Sequence, residues 1–324
     1  MPSFAAHLIL AEEIYNSLND PIIREGKNYF LLGSLGPDLP YYRNVFGTAI
    51  GTFFEEKYNP ESPGFYSGYG DHFHSKSPNL FPMKMLEIIK KDKDPTTEKP
   101  KLAFVSGYLT HMAADQHIHP LVEVYAGSFY VSGHARKKHR TLEVYQDLFL
   151  YQDKFPNKSF FEENFSSWID VGPPSKEDES QRMDSDIGGE KKIFVKEYTF
   201  EWFRSFISRA FFEAYSIIIK GDEVEEWLKG FTSILGYLKS IGPYRKAFDA
   251  IAADSQEAKE FRRMFDAVDK NYLTEYFTPA KEISNKYILA AGSFIKKAQI
   301  TDIQRKAFLK QVPDADLTTP LMQI

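Results

Sequence analysis

Two pairs of side chains spaced one helical turn apart could hold a cation. In GYLTHMAADQHIHP, His111 and Asp115 lie at i and i+4. In a helix both would stack on one face and could grip one ion. His119, at i+8, continues that face at the helix end, whereas His117 points elsewhere. In HRTLEVYQD, His139 and Glu143 form a second i, i+4 pair, and Asp147 extends the stripe. His7 stands singly on the inner stripe of the first helix. Two loops add Asp38, in GSLGPDLPYY, and His72, in GDHFHSKSP. All eight histidines fall between His7 and His139, the last 185 residues contain none, and the chain has no cysteine. Disulfide frameworks, Cys-type zinc fingers, iron–sulfur clusters and thiol nucleophiles are therefore excluded, and a metal site must be built from nitrogen and oxygen donors.

Each of these features has a plainer explanation when taken alone. A single histidine on an apolar stripe is more often a hydrogen-bonded core residue. A His–Glu pair at i, i+4 is usually a surface contact worth a few tenths of a kcal/mol. A GPD turn is often only a turn, since Asp is common there. Coincidence changes the balance. Several carboxylates and imidazoles converging without a cation would be costly to bury, and Zn²⁺ takes both ligand types while leaving a position open for water in catalytic sites.

The elements that must position these groups read as helices. Helical periodicity is expected over residues 3–17, 78–91, 101–118, 138–151 and 198–220, then near 222–240, 243–252, 255–271 and 279–297. Phe203, Phe206, Ile207, Ala210, Phe211 and Ala214 form a broad apolar face on one of them. Residues 33–71 read as loop with one short helix, and KKDKDPTTEKPK as a solvated loop. No run of alternating strands and no repeat is found, so the expected class is all-α. The expected organisation is one domain over 1–324, with a metal-site core in 1–151, an acidic surface insertion at about 155–192 (mobile, and most acidic over 173–192), and supporting helices at about 195–300. Composition is that of an ordinary globular chain, 43% hydrophobic and 26% charged with net charge −5. That balance argues against a nucleic-acid binder working through a broad basic face. No stretch approaches the roughly 20 apolar residues of a membrane span. The start, MPSFAAHLILAEEIYNSL, has no basic region and reaches Glu12 and Glu13 early, so the expected location is the cytoplasm.

The order His7, GPD38, HF, HxxxDxxxHP, HxxxE resembles the zinc-dependent phospholipase C family, whose multi-helix fold is shared with fungal single-strand-specific zinc nucleases. MPSFAAHLILAEE, GSLGPDLPYY, GYLTHMAADQHIHP and HRTLEVYQD each look like a family motif, in family order, over roughly residues 1–151. The resemblance implies two to three zinc ions. Asp38, His72, His111 and Asp115 would hold one, with Asp115 able to bridge. His119, His139 and Glu143 would hold a second. His7 and Asp115 would hold a third, which in secreted relatives is completed by the amino group of the mature first residue; Pro2 would supply that amine here if Met1 is removed. Different loop lengths between motifs make His117 and His134 alternative ligands, and His74 rivals His72.

The implied activity is phospholipase C-like hydrolysis of a phosphodiester by a metal-bound hydroxide. Asp38 would also orient or deprotonate the water, and Asp147 would orient His139 or Glu143. Tyr41, Tyr42, Tyr66 and Tyr69, together with Phe53 and Phe54, could wall an acyl chain or stack a base, or be ordinary core and rim aromatics. The expected partner is a phosphodiester substrate, foremost a phospholipid, met at a transient membrane surface, with no stable nucleic-acid complex. The alternatives are a zinc nuclease or nucleotidase on the same centre and a non-catalytic, metal-stabilised helical protein. An HD-type phosphohydrolase fails for want of an adjacent His-Asp pair, and no G-x-S-x-G, P-loop or G-x-G-x-x-G is present.

Overall fold

A computed structural model of the chain describes residues 4–18, 20–43, 68–92, 94–126, 133–169, 197–220, 222–238, 242–266, 278–315 and 317. Helices dominate, and no strand occurs among the described residues, as the periodicity implied. In chain order they are α1 (Phe4–Ser17), α2 (Pro21–Glu25), α3 (Lys27–Gly33), α4 (Gly68–Ser75), α5 (Leu80–Asp92), α6 (Pro95–His117), α7 (His119–Ala126), α8 (Gly133–Lys154) and α9 (Phe165–Trp168). Then come α10 (Glu197–Tyr215), α11 (Glu223–Tyr237), α12 (Gly242–Ala252), α13 (Gln256–Asp266), α14 (Thr278–Ile295) and α15 (Asp302–Gln311). A 3₁₀ segment, Gly36–Tyr42, follows α3. No described helix is long and apolar enough to cross a membrane.

The central element is α6. Residues Ala103 to Asp115 are buried on every side, as expected of a helix enclosed by others. Packed around it are α1, α2, α3, α5 and α14. The approach of α3 is closest. A Cβ at Gly107 would lie 1.9 Å from the Phe30 carbonyl oxygen, and one at Gly33 would lie 2.1 Å from the Phe104 oxygen. Only the missing side chains let the two backbones touch. The face expected on α10 is buried at Phe203, Phe206, Ile207, Ala210 and Phe211. The helix stops at Tyr215, earlier than its periodicity suggested, because Ser216 turns left-handed at φ 58°.

Three further departures have local causes. The charged KKDKDPTTEKPK stretch is largely the start of α6, not a loop: Asp94 caps it by accepting from the Thr96 backbone N–H, and Pro95 occupies the first turn. Pro120 cannot continue α6, so the chain turns at Ile118 and restarts as α7. Within the expected insertion, residues 155–169 pack Phe160 and Phe165 into the core, while 170–196 lie outside the described residues. The histidine-free helices close on the upstream ones through named contacts. Arg305 of α15 pairs with the buried Glu87 of α5, and the Tyr287 hydroxyl of α14 donates to Gln116 Oε1 at 2.6 Å.

Candidate metal centre

Five titratable side chains from four elements meet inside the bundle. α1 brings His7, the 3₁₀ segment brings Asp38, α4 brings His74, and α6 brings His111 and Asp115 at i, i+4. All five are buried. Four of them present atoms that each lie within 4.0 Å of at least two of the others. His74 Nε2 lies 3.2 Å from Asp38 Oδ1 and 3.6 Å from Asp115 Oδ2. His111 Nε2 lies 3.1 Å from Asp115 Oδ2, 3.4 Å from His74 Nε2 and 4.0 Å from Asp38 Oδ1. His7 joins from the side, its Nε2 3.3 Å from Asp115 Oδ1 and its ring stacked on His111 at 3.9 Å.

Backbone carbonyls fix which nitrogen of each ring faces inward. His111 Nδ1 is 2.8 Å from the Ser34 oxygen and His74 Nδ1 is 2.8 Å from the Gly70 oxygen. A carbonyl only accepts, so each Nδ1 carries the donated proton and each neutral ring turns a bare Nε2 lone pair toward the cluster. Two lone pairs 3.4 Å apart beside two carboxylates repel one another unless positive charge lies between them. Both Asp38 oxygens, Asp115 Oδ2 and His7 Nδ1 are buried without a hydrogen-bond partner among the described residues.

The electrostatics carry the same message. Burial alone lowers an imidazole pKa, but at His111 the charges of Asp115 and Asp38 outweigh it and raise the value to about 9. At His7, burial and the charge on His111 lower the pKa against the pull of Asp115. Burial opposes ionisation of Asp115 too, yet His111 and His7 hold its carboxyl well below the usual range. The two carboxylates thus favour positive charge at the place that His111 Nε2 faces.

The donor set fits zinc. Zinc bonds of about 2.0–2.1 Å in a tetrahedron put ligand atoms roughly 3.3 Å apart. The spacings of 3.1–4.0 Å that His74 Nε2 and His111 Nε2 make with each other and with Asp38 Oδ1 and Asp115 Oδ2 bracket that figure. Two overlapping three-residue groups could each hold an ion, His7 with Asp38 and His111, and His74 with His111 and Asp115.

The histidine facing the cluster on α4 is His74, not His72. Residues two apart on a helix point about 200° apart, so only one can face inward. His72 instead packs its ring against Phe211 at 5.6 Å and Tyr215 at 5.3 Å. The GDHFHSKSP stretch, read as a loop, is mostly helix, and helical phase decides between the two. His139 Nε2 and Glu143 Oε1 are buried 3.1 Å apart. His119 opens α7 instead of continuing the face of α6, and its side chain lies outside the described residues. His117 is half-buried, with a pKa lowered by burial, and His134 is exposed. Met1 and Pro2, with the amine expected to complete a third site, lie outside the described residues, as do Tyr66, Phe53 and Phe54.

The aromatic wall takes a different form. Tyr42 is core, 4.8 Å from Phe231, and Tyr69 packs on Phe211 and Trp227. Of the described members of this set, Tyr41 borders the cluster, with its ring 5.4 Å from His74. Asp147 does not hydrogen-bond His139 or Glu143. Its Oδ1 accepts the Ala6 N–H at 2.9 Å, and its Oδ2 accepts the Tyr244 hydroxyl at 2.7 Å. α1 begins two residues earlier, so its first turn needs acceptors from outside, and an i+4 reading along α8 could not have found this one.

Burial raises the Asp147 carboxyl to about 7 despite the hydrogen bonds from Tyr244, Ala6 and Ala5, and the charge of Glu143 adds to the rise. Its folded-state value thus lies above the ordinary 3.8. The contribution of Asp147 to stability is fully present below that ordinary value and is lost as pH rises through about 7, at up to about 1.4 kcal/mol per pH unit. In chelator-treated protein, D147N should remove that slope, because an amide reproduces the neutral acid. Urea denaturation at pH 5 and pH 6.5 should show wild type losing roughly 2 kcal/mol relative to D147N. Parallel pH profiles would contradict the assignment.

Searches of curated proteins and of solved structures returned no match. The family model for zinc dependent phospholipase C matches residues 6–217, about two thirds of the chain, extending beyond the quoted motifs through α10. The match takes in every donor of the cluster, and the chain belongs to the zinc-dependent phospholipase C family.

Proposed function

We propose that this chain is a phospholipase C-like hydrolase that cleaves a phospholipid or related phosphodiester at a zinc centre of two to three ions. The observation that carries this reading is the convergence of Asp38 Oδ1 and Asp115 Oδ2 on His74 Nε2 and His111 Nε2, whose lone pairs need a cation. These four would hold one ion. Asp115 Oδ1, turned to His7 Nε2, would share a further ion with His7. His139 and Glu143, with His119, would hold another.

Zinc supplies Lewis-acid activation of water and of phosphoryl oxygens. The chain's own residues do the rest. Ser34 and Gly70 fix the His111 and His74 rings so that only Nε2 is presented. Asp38 is the general base. One oxygen faces the imidazoles, and the other accepts no hydrogen bond and can take a proton from attacking water. Tyr41 packs its ring at a tilt against His74, with centroids 5.4 Å apart, and would border substrate on that side of the cluster.

Zinc analysis paired with turnover tests the proposal. Two to three zinc ions per chain are expected, with hydrolysis of a phosphatidylcholine analogue lost on chelation, restored by zinc, and a lower melting temperature in the stripped protein. Turnover of single-stranded DNA instead would favour a nuclease. Full zinc with no phosphodiester turned over would favour a structural metal site, and absence of zinc would defeat the reading.

A further inference from the structure

α1 carries His7, and its first-turn N–H groups lack partners within the helix. The acceptor for Ala6 N–H comes from 141 residues away, as Asp147 Oδ1 at 2.9 Å. Asp147 is fully buried, and its other oxygen accepts the Tyr244 hydroxyl at 2.7 Å. The Tyr244 ring is itself clamped, stacked on Phe160 at 5.6 Å with a 10° interplanar angle and 6.1 Å from Phe4. Phe4 opens α1. Tyr244 therefore holds that helix end twice, through its ring and through Asp147.

The next residue after Ala6 is His7, whose ring stacks on His111 and whose Nε2 faces Asp115. One helical turn before Asp147 on α8 is Glu143, paired with His139. Asp147 thus ties the His7 helix to the His139–Glu143 helix across the centre. We infer that Tyr244 and Asp147 are positioning residues of the metal centre: Tyr244 fixes the Asp147 carboxylate, which pins the first turn of α1 and so aims His7. The inference rests on the zinc reading above. It adds a residue from α12, outside the matched residues 6–217.

Zinc affinity by chelator competition and the visible spectrum of the cobalt-substituted protein test it, since ligand geometry moves both and bulk stability need not. Y244F and D147A should each weaken the most loosely held zinc about ten-fold, within the range for groups that orient ligands, and should alter the cobalt spectrum. D147N keeps an oxygen for Ala6 N–H and an amide for the Tyr244 hydroxyl, so it should restore both readouts. Y151F removes a similar hydroxyl–carboxylate bond, to Glu163 at 2.6 Å, away from the cluster. It should lower the melting temperature and leave the cobalt spectrum unchanged. If D147A does not fold, Y244F decides alone. Wild-type affinity and spectrum in Y244F, or an equal change in Y151F, would overturn the inference while leaving the zinc reading intact. A wild-type protein that takes up no zinc would overturn both.

Discussion

D115N should lose roughly three orders of magnitude in phosphodiester turnover and at least one zinc ion per chain. Asp115 is the carboxylate that faces three imidazoles, with Oδ1 3.3 Å from His7 and Oδ2 3.1 Å from His111 and 3.6 Å from His74. An asparagine keeps the shape, removes the charge and turns an NH₂ toward one side of the cluster. Breaking a buried charge arrangement by deleting one partner costs about 3–5 kcal/mol, and each 1.36 kcal/mol is about ten-fold in rate. The deleted carboxylate also lifts the His111 pKa, so imidazole basicity falls together with metal affinity. Elemental analysis and kcat/KM on the same preparation check the outcome. Full zinc with activity within ten-fold of wild type would remove Asp115 from its shared position.

G107A should destabilise the protein by about 3 kcal/mol, measured by urea denaturation, and should loosen the centre. The new methyl would meet the Phe30 carbonyl oxygen at 1.9 Å and the Ser34 nitrogen at 2.9 Å. Both obstacles are backbone, so no side-chain rotation relieves them. α3 must move away from α6, and overpacking of this kind costs about 1–3 kcal/mol and at times more. The upper part of that range applies because Gly33 meets Phe104 in the same way across the same contact. Ser34, which holds His111 Nδ1 at 2.8 Å, moves with α3. Zinc affinity should therefore fall together with stability. A variant with wild-type stability would mean that the two backbones do not touch.

Much of the site could be read from spacing. The pairs His111–Asp115 and His139–Glu143 rest on helical periodicity alone, and both are buried as close pairs. His7 and Asp38 were legible as ligand types in apolar surroundings. The choice between His72 and His74 was not. Both belong to DHFH, and only the helical phase of α4 separates them, which a Gly- and Pro-rich stretch read as loop concealed. α15 left a usable signal in Thr301 and Gln304, a capping box that marks a helix start. The start of α6 left one in Asp94 and Pro95. Tyr244, Ser34 and Gly70 left none, because a single hydroxyl or a main-chain carbonyl acts without any motif.

One contact near the end of the chain concerns timing. The Leu317 backbone N–H donates to the carbonyl of His74 at 2.7 Å, with the Leu317 side chain buried. Nearby, Asn79 holds the Val312 carbonyl and Ser77 holds Asp314. The residues that would grip metal have all been synthesised by position 143, yet the helix bearing His74 gains this partner only when residue 317 exists. Contacts so distant in sequence form late. During synthesis, the helix that bears His74 therefore lacks this anchor until residue 317 has been added.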